Sequence, residues 1–194
     1  MFLLTRPSSQ AIDRFLRESQ DLPLSFDIVG LDGRCPPGFD LDEDVVVIGE
    51  GRKTFEKAER ALHSWKHFDL GWLEVFPKTG HVEPGTVVAV VMRHLGFWSL
   101  NGCRVVYAVG DGMSETRRGF AYATLPNHAE RGEELFEVAW DPRSDQVTYR
   151  IRAISRPRAL LARIGKPIVR VLQKQCRQAS AAALRAATNE GSWR

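Results

Sequence analysis

Between Leu70 and Ala153 apolar residues recur at every second position, the period of a half-buried strand. The pattern predicts strands at about 70–76, 86–99, 103–109, 119–125, 134–140 and 146–154. In the last of them Val147, Tyr149, Ile151 and Ala153 alternate with Thr148, Arg150 and Arg152, so one face is buried and the other is wet, as in an antiparallel sheet. The Asn101-Gly102 pair predicts a type I′ hairpin turn, which needs positive φ at both residues, and Gly96 would then mark a bulge.

On either side of this region the period changes to that of a helix. Ser8 or Ser9 can cap a first helix through about Ser19, with Ile12, Phe15 and Leu16 on one stripe. SFDIVG reads as a short strand, and a PPGF turn with the acidic run DLDED leads to VVVIGEG. Thr54 then begins a helix ending near His67, whose face is Phe55, Ala58, Ala61, Leu62 and Trp65.

At the other end, Ser155 is placed to cap a final helix to about Thr188, with Pro157 in its first turn and a kink expected at Pro167. Leu160, Leu161, Ile164, Ile168, Val171, Leu172, Gln175, Cys176, Ala179 and Ala183 line one side, tapering toward small residues that allow close approach. Arg158, Arg163, Lys166, Arg170, Lys174 and Arg177 are expected to stay in water. A long antiparallel run followed by one amphipathic helix predicts an α+β fold in which the sheet curves around that helix, since neither surface has another element large enough to bury it.

The 194 residues are expected to form one domain, long enough to bury a sizeable core. No segment approaches the roughly 18 apolar residues of a spanning helix, and MFLLTRPSSQ lacks the basic start and long apolar run of a signal peptide, so a cytoplasmic location is the expectation. Cys35, Cys103 and Cys176 are too few and too scattered for a zinc site or a disulfide framework, and read as free or buried thiols. The net charge of +3 hides an asymmetry. Residues 156–194 carry nine Lys or Arg against Glu190 alone, leaving −5 for residues 1–155. The basic helix could therefore meet an acidic partner or an anionic membrane surface, or complement its own domain. Nucleic acid is not expected, because no binding motif accompanies the charge and the acidic remainder repels phosphate.

Three constellations could carry chemistry. His128, Glu133 and Glu134 flank a turn and are candidates for general acid/base work, although carboxylates so placed more often cap backbone N–H groups or pair with arginines such as Arg104 or Arg156. His63 and His67 stand four apart, the spacing of two ligands on one helix face, but no further ligand completes a metal site, and two helix-end histidines are the plainer reading. GEGRKT at 49–54 places two glycines at a helix start without the spacing of a phosphate-binding loop, and reads as a turn. No metal or cofactor is expected. Among the aromatic residues Trp72, Tyr107 and Tyr122, apolar with a polar end, are the candidates for lining a ligand cavity, with Arg104 and Arg156 as the accompanying cations.

GEGRKTFEKAERALHSW, LGWLEVF, GCRVVYAV, GFAYATLPNHAERGEELFEV and ISRP resemble successive motifs of the bacterial and plant family called domain of unknown function nineteen-ninety. The most specific part is Tyr122-Ala123-Thr124-Leu125-Pro126, His128-Ala129-Glu130 and Gly132-Glu133-Glu134-x-Phe136, in which Ala123 replaces a usual glycine and Ala129 a usual proline. The resemblance implies a helix-grip fold like that of the START and Bet v 1 superfamily. Related helix-grip families mostly enclose apolar ligands between sheet and helix, so a binding module for a small apolar or amphipathic molecule is the first expectation and docking through the basic helix the second.

Overall fold

The computed structural model describes residues 2–27, 30, 33–78, 82–94, 96–110, 114–157 and 166–189. Among the described residues the strands are β1 (Phe2–Leu3), β2 (Asp40–Glu50), β3 (Leu73–Phe76), β4 (Val87–His94), β5 (Phe97–Val109), β6 (Arg117–Thr124), β7 (Glu130–Trp140) and β8 (Gln146–Pro157). The helices are α1 (Ser9–Ser19), α2 (Arg52–His63) and α3 (Lys166–Asn189), with a 3-10 turn at Lys66–Phe68. The strands form one antiparallel sheet in the order β2-β8-β7-β6-β5-β4-β3, and β1 pairs with β5.

Alternation along each strand gives the sheet two faces with different coverings. The inner face carries Val88, Val90, Cys103, Val105, Phe120, Tyr122, Phe136, Val138, Val147, Tyr149 and Ile151, buried beneath Phe55, Ala58 and Leu62 of α2 and Ala181, Leu184 and Ala187 of α3. The outer face carries Ala89, Val91 and Leu100, covered by Ile12 and Phe15 of α1. The Ser8 hydroxyl caps α1, accepting from Ala11 N at 3.2 Å, as the sequence predicts.

The hairpin between β4 and β5 is not at Asn101-Gly102. His94 faces Phe97, so the strands reverse between these two residues, where Gly96 has φ +80°. Asn101 and Gly102 instead sit within β5, opposite Val90 and Ala89. Tertiary contacts override the turn propensity. Buried Asn101 donates to Ser99 Oγ at 3.0 Å and accepts from Ala129 N at 3.3 Å, and a Cβ on Gly102 would lie 2.3 Å from Asn127 Oδ1.

Other boundaries move for similar reasons. DLDED is the first half of β2 rather than its approach, because Asp42 and Asp44 turn to the inner face and meet Arg177 of α3. α2 begins at Arg52 after Gly51 at φ +86°, and it ends at His63, so Trp65 and His67 lie beyond it. The described residues of SFDIVG form no strand, and its Ile28 and Val29 lie outside the described residues. Ser25 N donates to Thr124 O, and the Arg152 guanidinium donates to the carbonyls of Gly30 and, further along, Gly33.

Ser155 does not cap the final helix. β8 continues through Pro157, and Ser155 pairs with Asp40 on one side and Gly132 on the other. Of the expected stripe, Leu160, Leu161 and Ile164 lie outside the described residues, as do Arg158 and Arg163 and the side chains of Lys166, Ile168 and Arg170. Pro167 falls in the first turn of α3 as described, and the residues before it, on which the expected kink depends, lie outside the described residues. Val171 and Gln175 are exposed, while Ser180, Ala181, Leu184 and Ala187 are buried. The small residues let this half of α3 press onto the sheet, where Ser180 Oγ meets Tyr149 Oη at 3.0 Å.

A cavity between the sheet and the C-terminal helix

The C-terminal half of α3 packs tightly, whereas its Leu172–Ala179 stretch roofs a cavity of about 530 Å³ over the inner face of the sheet. The apolar wall comes from Phe68, Trp72, Leu73, Val90, Met92 and Leu172, and polar groups converge from β5 to β8 and from α3. Such a space, apolar with a few placed polar groups, falls within the roughly 300–1,000 Å³ of small-molecule sites.

The polar groups are already arranged in pairs. Tyr122 Oη donates to Glu134 Oε2 at 2.7 Å, and Gln173 Nε2 donates to both Glu130 oxygens at 3.2 Å. His128 Nδ1 accepts from Glu130 N at 2.9 Å, which fixes its ring at the β6–β7 turn. Arg177 is 2.5 Å from Asp44 Oδ2 and 3.4 Å from Asp42 Oδ1. It was expected to remain in water, yet its side chain is only 11% exposed, because the two aspartates draw it inward.

Burial in the apolar wall pushes the Glu134 carboxyl up to about 7, aided by Glu130 and Asp42, and opposed by the Tyr122 hydrogen bond and Arg177. The same wall pushes the Cys176 thiol up to about 12 and the Cys103 thiol well upward, so neither is a ready nucleophile.

Of the residues singled out from sequence, Trp72, Tyr122, His128 and Glu134 meet in this cavity. Glu133 borders it, but its carboxylate turns to the outer face, where Tyr107 Oη donates to it at 2.6 Å and Gly30 N at 3.3 Å. Tyr107 is therefore not a lining residue, since a register shift between Val105 and Tyr107 in β5 sends it to the outer face beside Val109, Ala121 and Leu135. Arg104 donates to Gln20 O at 2.6 Å at the end of α1, and Arg156 stands opposite Arg131; neither lines the cavity. Neither arginine pairs with Glu134, whose partner is a tyrosine. Gln173, Leu172 and Met92 also line the cavity, and no local sequence signal marks them, because the long-range packing of α3 on the sheet brings them together.

The remaining motifs have structural explanations. Both ring nitrogens of His67 are buried without a hydrogen-bond partner among the described residues, in an aromatic cage with Phe68 at 4.2 Å and Phe136 at 4.7 Å between ring centroids. Burial, with a smaller contribution from His63, holds its pKa down at about 3. His63 Nδ1 meets Glu59 O at 3.0 Å within α2. Among the described residues no group of three His, Cys, Asp or Glu could hold a metal ion. At GEGRKT, the space beside Gly51 belongs to Asp145, which accepts from Trp140 Nε1 at 2.9 Å and places its carboxylate near the N-terminus of α2.

An antiparallel sheet closed over by a C-terminal helix, with a cavity between them, defines the helix-grip class of α+β proteins. The chain belongs to the family described as domain of unknown function (DUF1990), whose model matches residues 25–183. A UPF0548 protein of Dictyostelium discoideum is 29% identical over 195 residues, covering 90% of each chain. Among solved structures, a hypothetical protein from Helicobacter pylori matches with TM-score 0.57 at 13% identity, covering 85% of this chain and 98% of that one. Norcoclaurine synthase from Thalictrum flavum, in complex with dopamine and hydroxybenzaldehyde, matches with TM-score 0.52 at 10% identity, covering 87% of this chain and all of that one. Such likenesses show the fold. Among the described residues no helix is long and apolar enough to cross a membrane.

Proposed function

We propose that this protein binds a small, mainly apolar molecule in the cavity between the inner face of the sheet and α3. The observation that carries the reading is the space itself: about 530 Å³ remains where Phe68, Trp72, Met92 and Leu172 could have packed together. Apolar side chains normally close against one another, and a recess of this size, partly open to solvent, leaves apolar surface that an occupant would cover. The polar pairs around it supply orientation. They include no nucleophile, because both nearby thiols are held neutral.

The test is native mass spectrometry of freshly purified protein, followed by organic extraction of whatever denaturation releases. A stoichiometric adduct of mixed apolar and polar character is the expected result. A bare chain that also fails to take up any apolar probe would overturn the reading. The alternative of docking through the basic helix has less to stand on, because Arg177 is committed to Asp42 and Asp44 and Arg185 to the Val47 carbonyl.

A further inference from the structure

We propose that Glu134 selects the occupant of this cavity: its second oxygen, with the carboxyl held in place by Tyr122, donates a hydrogen bond to a carbonyl or ether oxygen on an uncharged, otherwise apolar molecule. The inference rests on the cavity being a binding site and adds which chemistry it accepts. Tyr122 Oη, the direct cross-strand neighbour, donates to Oε2 at 2.7 Å, whereas Oε1 makes no hydrogen bond among the described residues of a side chain that lines the cavity. A protonated carboxyl carries one O–H; with Oε2 already accepting from tyrosine, that proton sits on Oε1 and is offered to the occupant.

The surroundings raise the carboxyl to about 7, since burial dominates, so the group is mostly protonated below neutral pH and mostly ionised above it. Glu130 on its own strand and Asp42 on β2 oppose ionisation, and Arg177 on α3, which favours it, is shared with Asp42 and Asp44. Tyr122 on β6, Cys103 on β5, Tyr149 on β8 and Cys176 on α3 are all pushed upward by burial and stay uncharged. His128 lies at the β6–β7 turn with its Nδ1 accepting from Glu130 N. The carboxylates Glu130 and Asp42 disfavour an anionic ligand at this end. A ligand with no acceptor leaves the Glu134 O–H unpaired, and that difference is what discriminates.

The experiment compares a naphthyl methyl ketone with the isopropenyl hydrocarbon of the same shape, each displacing the fluorescent probe phenylnaphthylamine from the full chain, at about pH 5.5 and about pH 8.5. The ketone is expected to bind about tenfold tighter than the hydrocarbon at the lower pH, and at the higher pH, with the carboxyl ionised, most of that advantage is lost. Glu134→Gln, whose amide still donates, keeps the advantage at both pH values, and Glu134→Leu loses it at both. Circular dichroism establishes that each variant is folded, and the isosteric Gln variant decides the matter if Leu does not fold. Equal binding of the two probes at low pH would overturn the inference while leaving the cavity reading intact. Persistence of the pH dependence in Glu134→Gln would also overturn it, because a group other than Glu134 would then carry the titration. Failure of wild type to bind any of the three compounds would overturn the cavity reading and this inference with it.

Discussion

Tyr122 and Glu134 face each other directly across β6 and β7, and the tyrosine hydroxyl lies 2.7 Å from Glu134 Oε2. The pairing places a carboxyl of raised pKa and a phenol side by side on the inner face of the sheet, under the Leu172–Ala179 stretch of α3. The hydrogen bond favours the charged carboxylate and so holds Glu134 lower than burial alone would. Removing it in Tyr122→Phe should shift the Glu134 titration above its present value of about 7 and cost about 1 kcal/mol of stability. Carboxyl carbon chemical shifts across a pH series measure the first effect and urea unfolding the second.

Two buried groups should give stability an unusual pH profile. Glu134 titrates at about 7 in the folded chain against 4.5 for the ordinary group, so the folded state holds the extra proton and stability falls as pH rises between those values. His67 titrates at about 3 against 6.5, so the unfolded state holds the extra proton and stability falls as pH drops from 6.5 toward 3. Their slopes oppose each other where the windows overlap. In Glu134→Gln only the histidine slope remains, and stability should rise with pH across the overlap by about 1.4 kcal/mol per unit relative to wild type. His67→Leu should reverse that, with stability falling as pH rises, and at about pH 5 it should exceed wild type by about 2 kcal/mol. Urea midpoints measured across the pH range check both.

Arg177 ties α3 to β2 through Asp42 and Asp44. Replacing it with methionine keeps the stem and takes this cation away from Asp42, whose side chain is 11% exposed, and from Asp44. A loss of about 2–4 kcal/mol is expected, less than for a fully buried pair because the Asp44 side chain is 43% exposed. By comparison Arg52→Ala removes a surface pair with Glu56 and should cost under about 0.5 kcal/mol, apart from its contact over the Trp140 ring. Thermal melts of the two variants make the comparison.

Glycines that look alike in the sequence should differ in what they tolerate. A Cβ on Gly96 meets nothing within 4 Å, and Gly96→Ala costs only the strain of φ +80°, about 1 kcal/mol. A Cβ on Gly132 would lie 2.2 Å from the Ile154 carbonyl oxygen and 3.0 Å from Ser155 Cα, backbone atoms fixed by the β7–β8 ladder. Gly132→Ala should therefore cost about 3 kcal/mol or more. Denaturant unfolding of both single variants separates the two costs.

The sheet was legible because its burial is local: Val147, Tyr149 and Ile151 alternate with polar residues, and each inward residue is at most 2% exposed. The α1 cap and the Phe55, Ala58, Ala61 and Leu62 face of α2 were legible for the same reason. The Asn101-Gly102 turn was misread because a strong local propensity yielded to Ser99, Ala129 and Asn127, and the last two lie more than twenty residues away in sequence. Half of the candidate site was visible as Trp72, Tyr122, His128 and Glu134. Tyr107 was misplaced because one register shift in β5 turns it to the outer face, an event that alternation alone does not announce, and Arg104, ahead of that shift, reaches the end of α1 instead of the cavity.

Filling the cavity gives the most direct test of its role. Ala179 faces it from α3, and Ala179→Trp would place a bulky side chain into the space while leaving the Leu184 and Ala187 contacts with the core in place. Fluorescence titration with phenylnaphthylamine should show saturable one-to-one binding to wild type and none to a folded Ala179→Trp variant. Equal binding to both proteins, or binding to neither, would contradict a ligand site between the sheet and the helix.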